Sequence, residues 1–270
     1  MGKVIACVNE KGGVAKTTTT KNLSIGLAME GKKILVVDLD PSANLTKSLG
    51  MNPENETGAI CDIIGKMIEC EDIPDGFGIT AHEEGIDVIT SSVFLHQYES
   101  KLNDTFQREL VLRRYIDTVR DNYDYIFLDC PAGLGIFVTN ALFCADSLIV
   151  PLQPQFLSVE AMQNLFLNVA KVRKLNGTNR KPAIMGLLFA MVRTNTNNDI
   201  NVMKNLRENY SKSVRCFDTY IPLAAKIPES DLARTSIFKY GEKSTAANNY
   251  KDLVMEFLEL EKESSDKGEL

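Results

Sequence analysis

Residues 9–18 read NEKGGVAKTT, and this segment limits the possible folds of the chain more than any other. It lies between an apolar stretch at residues 3–8 and a segment with helical periodicity at residues 17–30. The adjacent glycines Gly12 and Gly13 let the backbone turn so that successive N–H groups converge on an anion, and the positive end of the following helix adds to that field. The segment therefore predicts a phosphate-binding loop between a strand and a helix.

Apolar runs of strand length alternate with helical segments along the whole chain. The predicted strands cover residues 3–8, 33–38, 87–90, 125–129, 147–151, 183–191 and 217–221. The predicted helices cover residues 17–30, 106–120, 159–174, 199–210 and 244–261. Runs such as IFLD and LIV are apolar throughout, which is typical of strands covered on both faces by helices. We therefore expect an α/β fold, with a mostly parallel central sheet between two layers of helices.

Composition favours a single globular domain. The chain has 270 residues, of which 44% are hydrophobic and 24% are charged. We expect one domain over residues 1–260, followed by an acidic flexible tail at 261–270. Residues 54–109 carry 13 acidic and 3 basic side chains, and we expect them to form an acidic, α-rich part of the same domain.

The expected location is the cytoplasm. No run approaches the roughly 18 consecutive apolar residues of a membrane span, and no basic leader precedes the first strand. The six cysteines are scattered without a CxxC pair, and there are only two histidines. We expect reduced, mostly buried thiols and no imidazole-rich metal site.

The loop departs from the strict phosphate-loop pattern GxxxxGK[ST], because Glu10 and Ala15 stand where glycines are required. It resembles instead the deviant Walker A loop, KGGxxK[ST], of the ParA/MinD family of P-loop ATPases, and in particular its ParA/Soj type. The resemblance implies a P-loop NTPase architecture and binding of ATP with Mg²⁺. The alternative is a glycine turn before an ordinary helix. The residues expected to bind the nucleotide are Lys11, Gly12, Gly13, Val14, Ala15, Lys16, Thr17, Thr18 and Pro222.

Two lysines of the loop are expected to act in catalysis. Lys16 would contact the β- and γ-phosphates, and the hydroxyl of Thr17 would coordinate Mg²⁺. In the family, the lysine at the position of Lys11 reaches across a dimer interface to the partner's phosphates. Ala15 replaces the usual glycine, which costs on the order of 1 kcal/mol where the backbone angle favours glycine. Nucleotide binding should tolerate this change better than the hydrolysis rate.

Two carboxylates follow the second predicted strand. The two-residue period of a strand puts Asp38 and Asp40 on one side, beside the loop. Such a pair suits holding the Mg²⁺ shell and orienting an attacking water. The resemblance to the family's DxDPQ element assigns the water to Asp40 and magnesium to Asp38, with Ser42 in place of glutamine. The alternative is a strand that ends in a polar turn.

A third carboxylate, Asp129, ends the apolar run of residues 125–129 and continues as DCPA. This is the Walker B form, and the resemblance implies a place for Asp129 near Mg²⁺. Two later stretches, VPLQP and FDTYIP, extend the resemblance over almost the full chain. The second makes Pro222 a candidate contact to the adenine, although it equally suits a proline that closes an edge strand.

Charge favours one branch of the family. The net charge is −6, but residues 171–243 alone sum to +8. ParA and Soj bind DNA without sequence preference as ATP dimers, through basic residues in this half of the chain. The chain ends in an acidic helix, unlike the basic membrane-binding helix of MinD, so no membrane partner is expected. The candidate DNA-facing residues are Arg193, Lys204, Arg207, Lys212, Arg215, Lys226, Arg234, Lys239 and Lys243.

The sequence thus predicts a slow, Mg²⁺-dependent ATP hydrolase of the ParA type. It would form an ATP-dependent homodimer, associate with the nucleoid through non-specific DNA binding, and be stimulated by a ParB-like partner during plasmid or chromosome partition. Two alternatives stay open. One is an ATP-driven positioning factor for a protein cargo, and the other is a nucleotide-binding scaffold with negligible turnover.

Overall fold

The computed structural model describes residues 1–52, 58–155, 158–175, 181–210 and 214–266. Seven strands lie in it, namely β1 (Lys3–Cys7), β2 (Ile34–Asp38), β3 (Ile79–Ala81), β4 (Asp87–Ile89), β5 (Tyr125–Asp129), β6 (Ser147–Leu152) and β7 (Ala183–Phe189). The α-helices are α1 (Lys16–Met29), α2 (Asn44–Ser48), α3 (Ile60–Ile68), α4 (His96–Asn103), α5 (Val111–Val119), α6 (Ile136–Cys144), α7 (Ser158–Leu175), α8 (Asn197–Tyr210), α9 (Lys226–Leu232), α10 (Ile237–Tyr240) and α11 (Thr245–Asp266).

One seven-stranded sheet has the strand order β3-β4-β2-β5-β1-β6-β7, and all pairs except β3–β4 are parallel. Cys7 and Asp38 both pair with Asp129 at the end of β5. The carboxyl ends of β1, β2 and β5 therefore meet at one edge of the sheet, which is where ligands bind in open parallel sheets.

The apolar strands are explained by two cores, one on each face of the sheet. Along β2, Leu35 and Val37 pack on the face covered by α3, α5 and α6, whereas Ile34 and Val36 pack on the face covered by α1 and α11. Because successive side chains of a strand point to opposite faces, a strand covered on both sides has no polar position. The α/β fold with a mostly parallel sheet is therefore confirmed.

The predicted strand at residues 217–221 is wrong. Residues 217–221 form no strand, and two isolated bridges flank them, Leu187↔Cys216 and Val192↔Pro222. The backbone N–H groups of Asp218 and Thr219 donate instead to the carboxylate of Glu256 on α11, so the ladder with β7 is interrupted.

The C-terminal segment differs from the prediction in part. Residues 261–266 were expected in a flexible tail, but α11 continues to Asp266, and Glu261 pairs with Lys3 and Glu263 with Arg215. Residues 267–270 lie outside the described part. The acidic region of residues 54–109 contains α3 and α4 together with the short strands β3 and β4, and its residues 54–57 lie outside the described part as well. Within the described ranges, no helix is both long and apolar enough to cross a membrane.

Candidate functional site

The loop between β1 and α1 is held from two sides. Asn9 donates from Nδ2 to the carbonyl of Pro151 at 2.7 Å and accepts the N–H of Lys11 on Oδ1 at 3.0 Å. The carbonyl of Glu10 accepts the N–H of Gly133 at 2.9 Å. These hydrogen bonds to β6 and to the segment after β5 fix the position of the loop relative to the sheet.

Two residues of the loop have left-handed backbone angles. Gly13 has a φ of 68°, and Ala15, which immediately precedes α1, has a φ of 67°. An alanine at this angle is strained by about 1 kcal/mol relative to glycine. The expectation that Ala15 occupies a backbone conformation that favours glycine is confirmed.

The two lysines of the loop have different surroundings. The side chain of Lys16 is buried, and its Nζ donates to the carbonyl of Lys11 at 3.0 Å, back across the loop. The ammonium of Lys11 donates instead to Oε1 of Gln155, at 2.8 Å, in an exposed position after β6. Lys16 therefore belongs to the interior of its own loop, whereas Lys11 extends outside it.

Asp129 lies directly beneath the first turn of α1. Its Oδ2 accepts the hydroxyl of Thr17 at 2.7 Å, and its Oδ1 accepts that of Thr20 at 3.3 Å. Burial, reinforced by the charge of Asp38, raises the pKa of this carboxyl well above its usual range, while the bond from Thr17 opposes the rise. The structure thus brings together Thr17 and Asp129, two of the three predicted metal-site residues.

Asp38 is fully buried one strand away. Its Oδ2 accepts both the N–H and the hydroxyl of Thr46, at 2.9 and 2.8 Å, and its Oδ1 accepts the N–H of Asp40 at 3.1 Å. Burial raises the pKa of Asp38 to about 6 in spite of these donors. Its protein contacts anchor α2 to the end of β2, a role that the sequence did not reveal.

The donor set fits a magnesium ion bound together with phosphates. Asp38 and Asp129 are two buried carboxylates, the charge of Asp38 raises the pKa of Asp129, and the hydroxyl of Thr17 donates to Asp129. Hydroxyl and carboxylate oxygens are ligands that Mg²⁺ accepts, and it commonly takes few protein ligands beside substrate phosphates. Among the described residues, no three His, Cys, Asp or Glu side chains group closely enough to hold a metal by themselves.

Asp40 is only partly buried. Its Oδ1 accepts the N–H of Ser42 at 2.9 Å and the hydroxyl of Ser42 at 2.7 Å. Its own carbonyl accepts the hydroxyl of Ser91 at 2.8 Å. The strand ends in a polar turn, as one interpretation of the sequence required, and Asp40 also lines the cavity described next.

A large cavity of about 1730 Å³ is lined by residues of the loop and by Asp40. The predicted site residues that line it are Gly12, Gly13, Val14, Ala15, Lys16, Thr17, Thr18, Asp40 and Pro222. Pro222 also forms an isolated bridge with Val192, but it closes no edge strand, because residues 217–221 form none; its contact to the adenine stays a prediction. Four of the six non-glycine residues with positive φ in the described chain also line this cavity, namely Ala15, Ala43, Met191 and Arg234. Such strain is concentrated at functional sites.

Two contacts of the site were missed from the sequence. Gln153 donates to the carbonyl of Gly13 at 3.1 Å and so supports the loop. Lys21, on α1, is fully buried and donates to Asp231 on α9 and to the carbonyl of Thr235 at 3.0 Å. The position of Lys21 on the inward face of a helix was a signal that it has a buried partner. The sequence could not identify that partner, because Asp231 is 210 residues away.

The basic residues proposed to face DNA do not form one free cluster. Four of them make ion pairs with carboxylates: Lys204 with Glu208, Arg215 with Glu263, Lys226 with Glu229, and Lys239 with Glu83. Arg207 donates to the carbonyls of Phe217 and Asp218, and Lys212 lies outside the described residues. Arg193, Arg234 and Lys243 are exposed, and no ion pair of theirs is shown in the described part.

A parallel sheet with a phosphate loop after β1 and acidic residues at the ends of β2 and β5 defines a P-loop nucleotide-binding protein. The AAA_31 family model, an AAA domain, matches residues 2–183. The sporulation initiation inhibitor protein Soj of Bacillus subtilis (strain 168) is 36% identical over 95% of this chain and 98% of its own length. The chromosome-partitioning ATPase Soj of Treponema pallidum (strain Nichols) is 32% identical over 96% and 98%.

A solved structure extends the likeness to the fold. Cobyrinic acid a,c-diamide synthase from Mycobacterium smegmatis, with a bound ATP analogue and magnesium, superposes with a TM-score of 0.80 over 96% of this chain and 95% of that one, at 26% identity. The chain therefore belongs to the ParA/MinD family of P-loop ATPases, and its relatives are of the ParA/Soj type.

Proposed function

We propose that this protein is an ATP-hydrolysing switch of the ParA type, which dimerises on ATP, binds DNA as the dimer and serves plasmid or chromosome partition. The observation that carries the proposal is that one cavity is lined by the buried Lys16 and by the partly buried Thr17 and Asp40. Beneath it, Asp129 accepts a hydrogen bond from Thr17. Relatives named as chromosome-partitioning proteins support the biological role.

ATP would lie with its phosphates against the backbone of residues 12–18. Lys16 would neutralise the β- and γ-phosphates, and Thr17, Asp38 and Asp129 would hold Mg²⁺ directly or through water. The bound metal supplies positive charge that stabilises the phosphate oxygens. Asp40 would orient the water whose oxygen bonds to the γ-phosphorus. The bond from that phosphorus to the leaving oxygen breaks, giving ADP and phosphate, and a proton is released to solvent.

The position of Lys11 supports the homodimer. Its ammonium lies outside its own loop, at Gln155, so it is free of the phosphates that Lys16 would contact in the same subunit. A second subunit facing this loop would receive that charge. Formation of the homodimer would therefore depend on ATP, because the γ-phosphate would then interact with both subunits.

DNA binding would use the exposed arginines Arg193 and Arg234 together with Lys243. Contacts of this kind go to phosphates and are weakened by salt. The ion pairs of the other basic residues reduce the number of free cations, so we expect modest affinity per subunit, with the dimer doubling the contacts. A ParB-like protein would stimulate hydrolysis, and the protein would associate with the nucleoid in the cytoplasm.

Phosphate release and retention on random duplex DNA test the proposal together. We expect slow turnover with Mg²⁺ and ATP, none with Lys16→Ala, and DNA retention at low salt in ATP but not in ADP. Turnover without any DNA retention would favour the alternative of a positioning factor for a protein cargo. Nucleotide binding without measurable turnover, with or without DNA, would favour a scaffold.

A further inference from the structure

We infer that Ser42 is a positioning residue that fixes the Asp40 carboxylate for hydrolysis; this inference rests on the proposed function. In the sequence, residue 42 is where the chain departs from the family's DxDPQ element. The structure gives the serine a contact of its own, because its backbone N–H and its hydroxyl both donate to Asp40 Oδ1, at 2.9 and 2.7 Å.

Both donors converge on the same oxygen. An aspartate side chain has two torsions, and fixing one carboxylate oxygen with two donors sets the direction of the other. Among the described residues, no hydrogen bond to Asp40 Oδ2 is shown, so this oxygen keeps its acceptor capacity. Asp40 lines the cavity. A carboxylate oxygen that is held in one direction beside the cavity is suited to accept a hydrogen bond from a water molecule.

The turn that carries Ser42 is itself restrained. Lys47 donates from Nζ to the carbonyl of Ser42 at 2.6 Å. The carbonyl of Asp40 accepts the N–H of Ala43 and the hydroxyl of Ser91, both at 2.8 Å. Residue 42 therefore cannot swing away from Asp40 without breaking contacts to α2 and to the segment after β4. The restrained turn therefore keeps the hydroxyl of Ser42 directed at Asp40.

The role is distinct from binding. Ser42 is not among the residues that line the cavity beside the phosphate loop, and its hydrogen bonds shown in the described part go to Asp40 and Lys47. Removal of the hydroxyl should leave the nucleotide in place and loosen Asp40, which keeps only the bond from the backbone N–H. A water that is less well oriented lowers the rate of the chemical step without changing affinity.

The test compares Ser42→Ala with Ser42→Thr, which keeps a hydroxyl, and with Thr118→Ala, which deletes a hydroxyl bonded to a carbonyl within α5. For Ser42→Ala we expect kcat to fall about tenfold, with KM and the Kd of a fluorescent ATP analogue within about twofold of the wild-type values. Ser42→Thr should recover most of kcat, and Thr118→Ala should match the wild type.

Unchanged kcat in Ser42→Ala, or a loss of kcat that Ser42→Thr does not recover, would overturn the inference while leaving the proposed ATPase intact. A parallel weakening of nucleotide binding would also overturn it, because Ser42 would then act in binding. A wild-type protein without turnover would overturn the proposed hydrolysis and this inference with it. A thermal unfolding curve for each variant shows whether the protein is folded.

Discussion

The ammonium of Lys16 donates to the carbonyl of Lys11 at 3.0 Å, while the ammonium of Lys11 lies elsewhere, 2.8 Å from Gln155 Oε1. The two lysines are five residues apart in one loop, yet the first closes the loop on itself and the second leaves it. Their contributions to nucleotide binding and to dimerisation should therefore be separable.

Lys11→Ala should retain ATP binding but lose the ATP-dependent dimer, because its ammonium does not approach the phosphate side of its own loop. Lys16→Ala should lose ATP binding, and the dimer with it, because it removes the buried cation. Equilibrium binding of a fluorescent ATP analogue and size-exclusion chromatography with ATP measure the two properties. A Lys11→Ala protein that dimerises as well as the wild type would contradict the cross-subunit role.

Ala15→Gly should increase the free energy of unfolding by up to about 1 kcal/mol, because it removes the strain of an alanine at a φ of 67°. Ala28→Gly, inside α1, is the matched control and should lower stability by roughly 0.5–1 kcal/mol, because glycine is unfavourable in a helix. Urea denaturation of both variants measures this. The prediction is wrong if both substitutions destabilise the protein equally.

Asp129→Asn should stabilise the nucleotide-free protein and abolish its response to Mg²⁺ and ATP. Asparagine has nearly the same shape as aspartate but carries no charge. Removing the buried charge should raise the free energy of unfolding by on the order of 1 kcal/mol. It also removes a carboxylate that the metal site needs. Thermal unfolding with and without Mg²⁺ and ATP measures both effects, with the exposed Asp121→Asn as a control. A lower melting temperature of Asp129→Asn without nucleotide would refute the first expectation.

Asp231→Asn should destabilise the protein by about 2 kcal/mol, because it leaves the fully buried ammonium of Lys21 without a counter-ion. The cost is smaller than for a wholly buried pair, since the side chain of Asp231 is 34% exposed. Adding Lys21→Met should recover most of the loss. A double-mutant cycle by urea denaturation measures the coupling, and additive effects of the two substitutions would mean that the pair contributes nothing.

Arg234→Ala should weaken DNA binding at all sequences and reduce the slope of log K against log salt by about 0.9 for each DNA phosphate that the arginine no longer neutralises. The control is the double substitution Lys66→Ala with Glu71→Ala, which removes a surface ion pair outside the candidate DNA-facing set without changing the net charge. Filter binding over a salt series compares them. Equal salt slopes for Arg234→Ala and the wild type would exclude Arg234 from the DNA surface.

Parts of the site could be predicted wherever a local sequence pattern determines the relative positions of its residues. Glycines before a helix place N–H groups at its N-terminus, and a parallel sheet aligns the ends of its strands. The spacing of Lys16, Asp38 and Asp129 was therefore enough to expect them near one another. The strand expected at residues 217–221 does not form, and the reason is not local. The N–H groups of Asp218 and Thr219 donate to the carboxylate of Glu256 on α11 instead of to a neighbouring strand.

Amino-acid order alone was enough to predict the α/β class, the loop at residues 9–18 and the acidic strand ends, because these depend on periodicity and on residues close together in the chain. The way in which these groups are held depends instead on the folded chain. The donors of Thr46 to Asp38, the hydroxyl of Ser42 on Asp40 and the partner of buried Lys21 depend on which turns and helices pack beside the strand ends. Periodicity does not encode such contacts, because they form between segments whose approach is set by the packing of the whole sheet and its two helical layers.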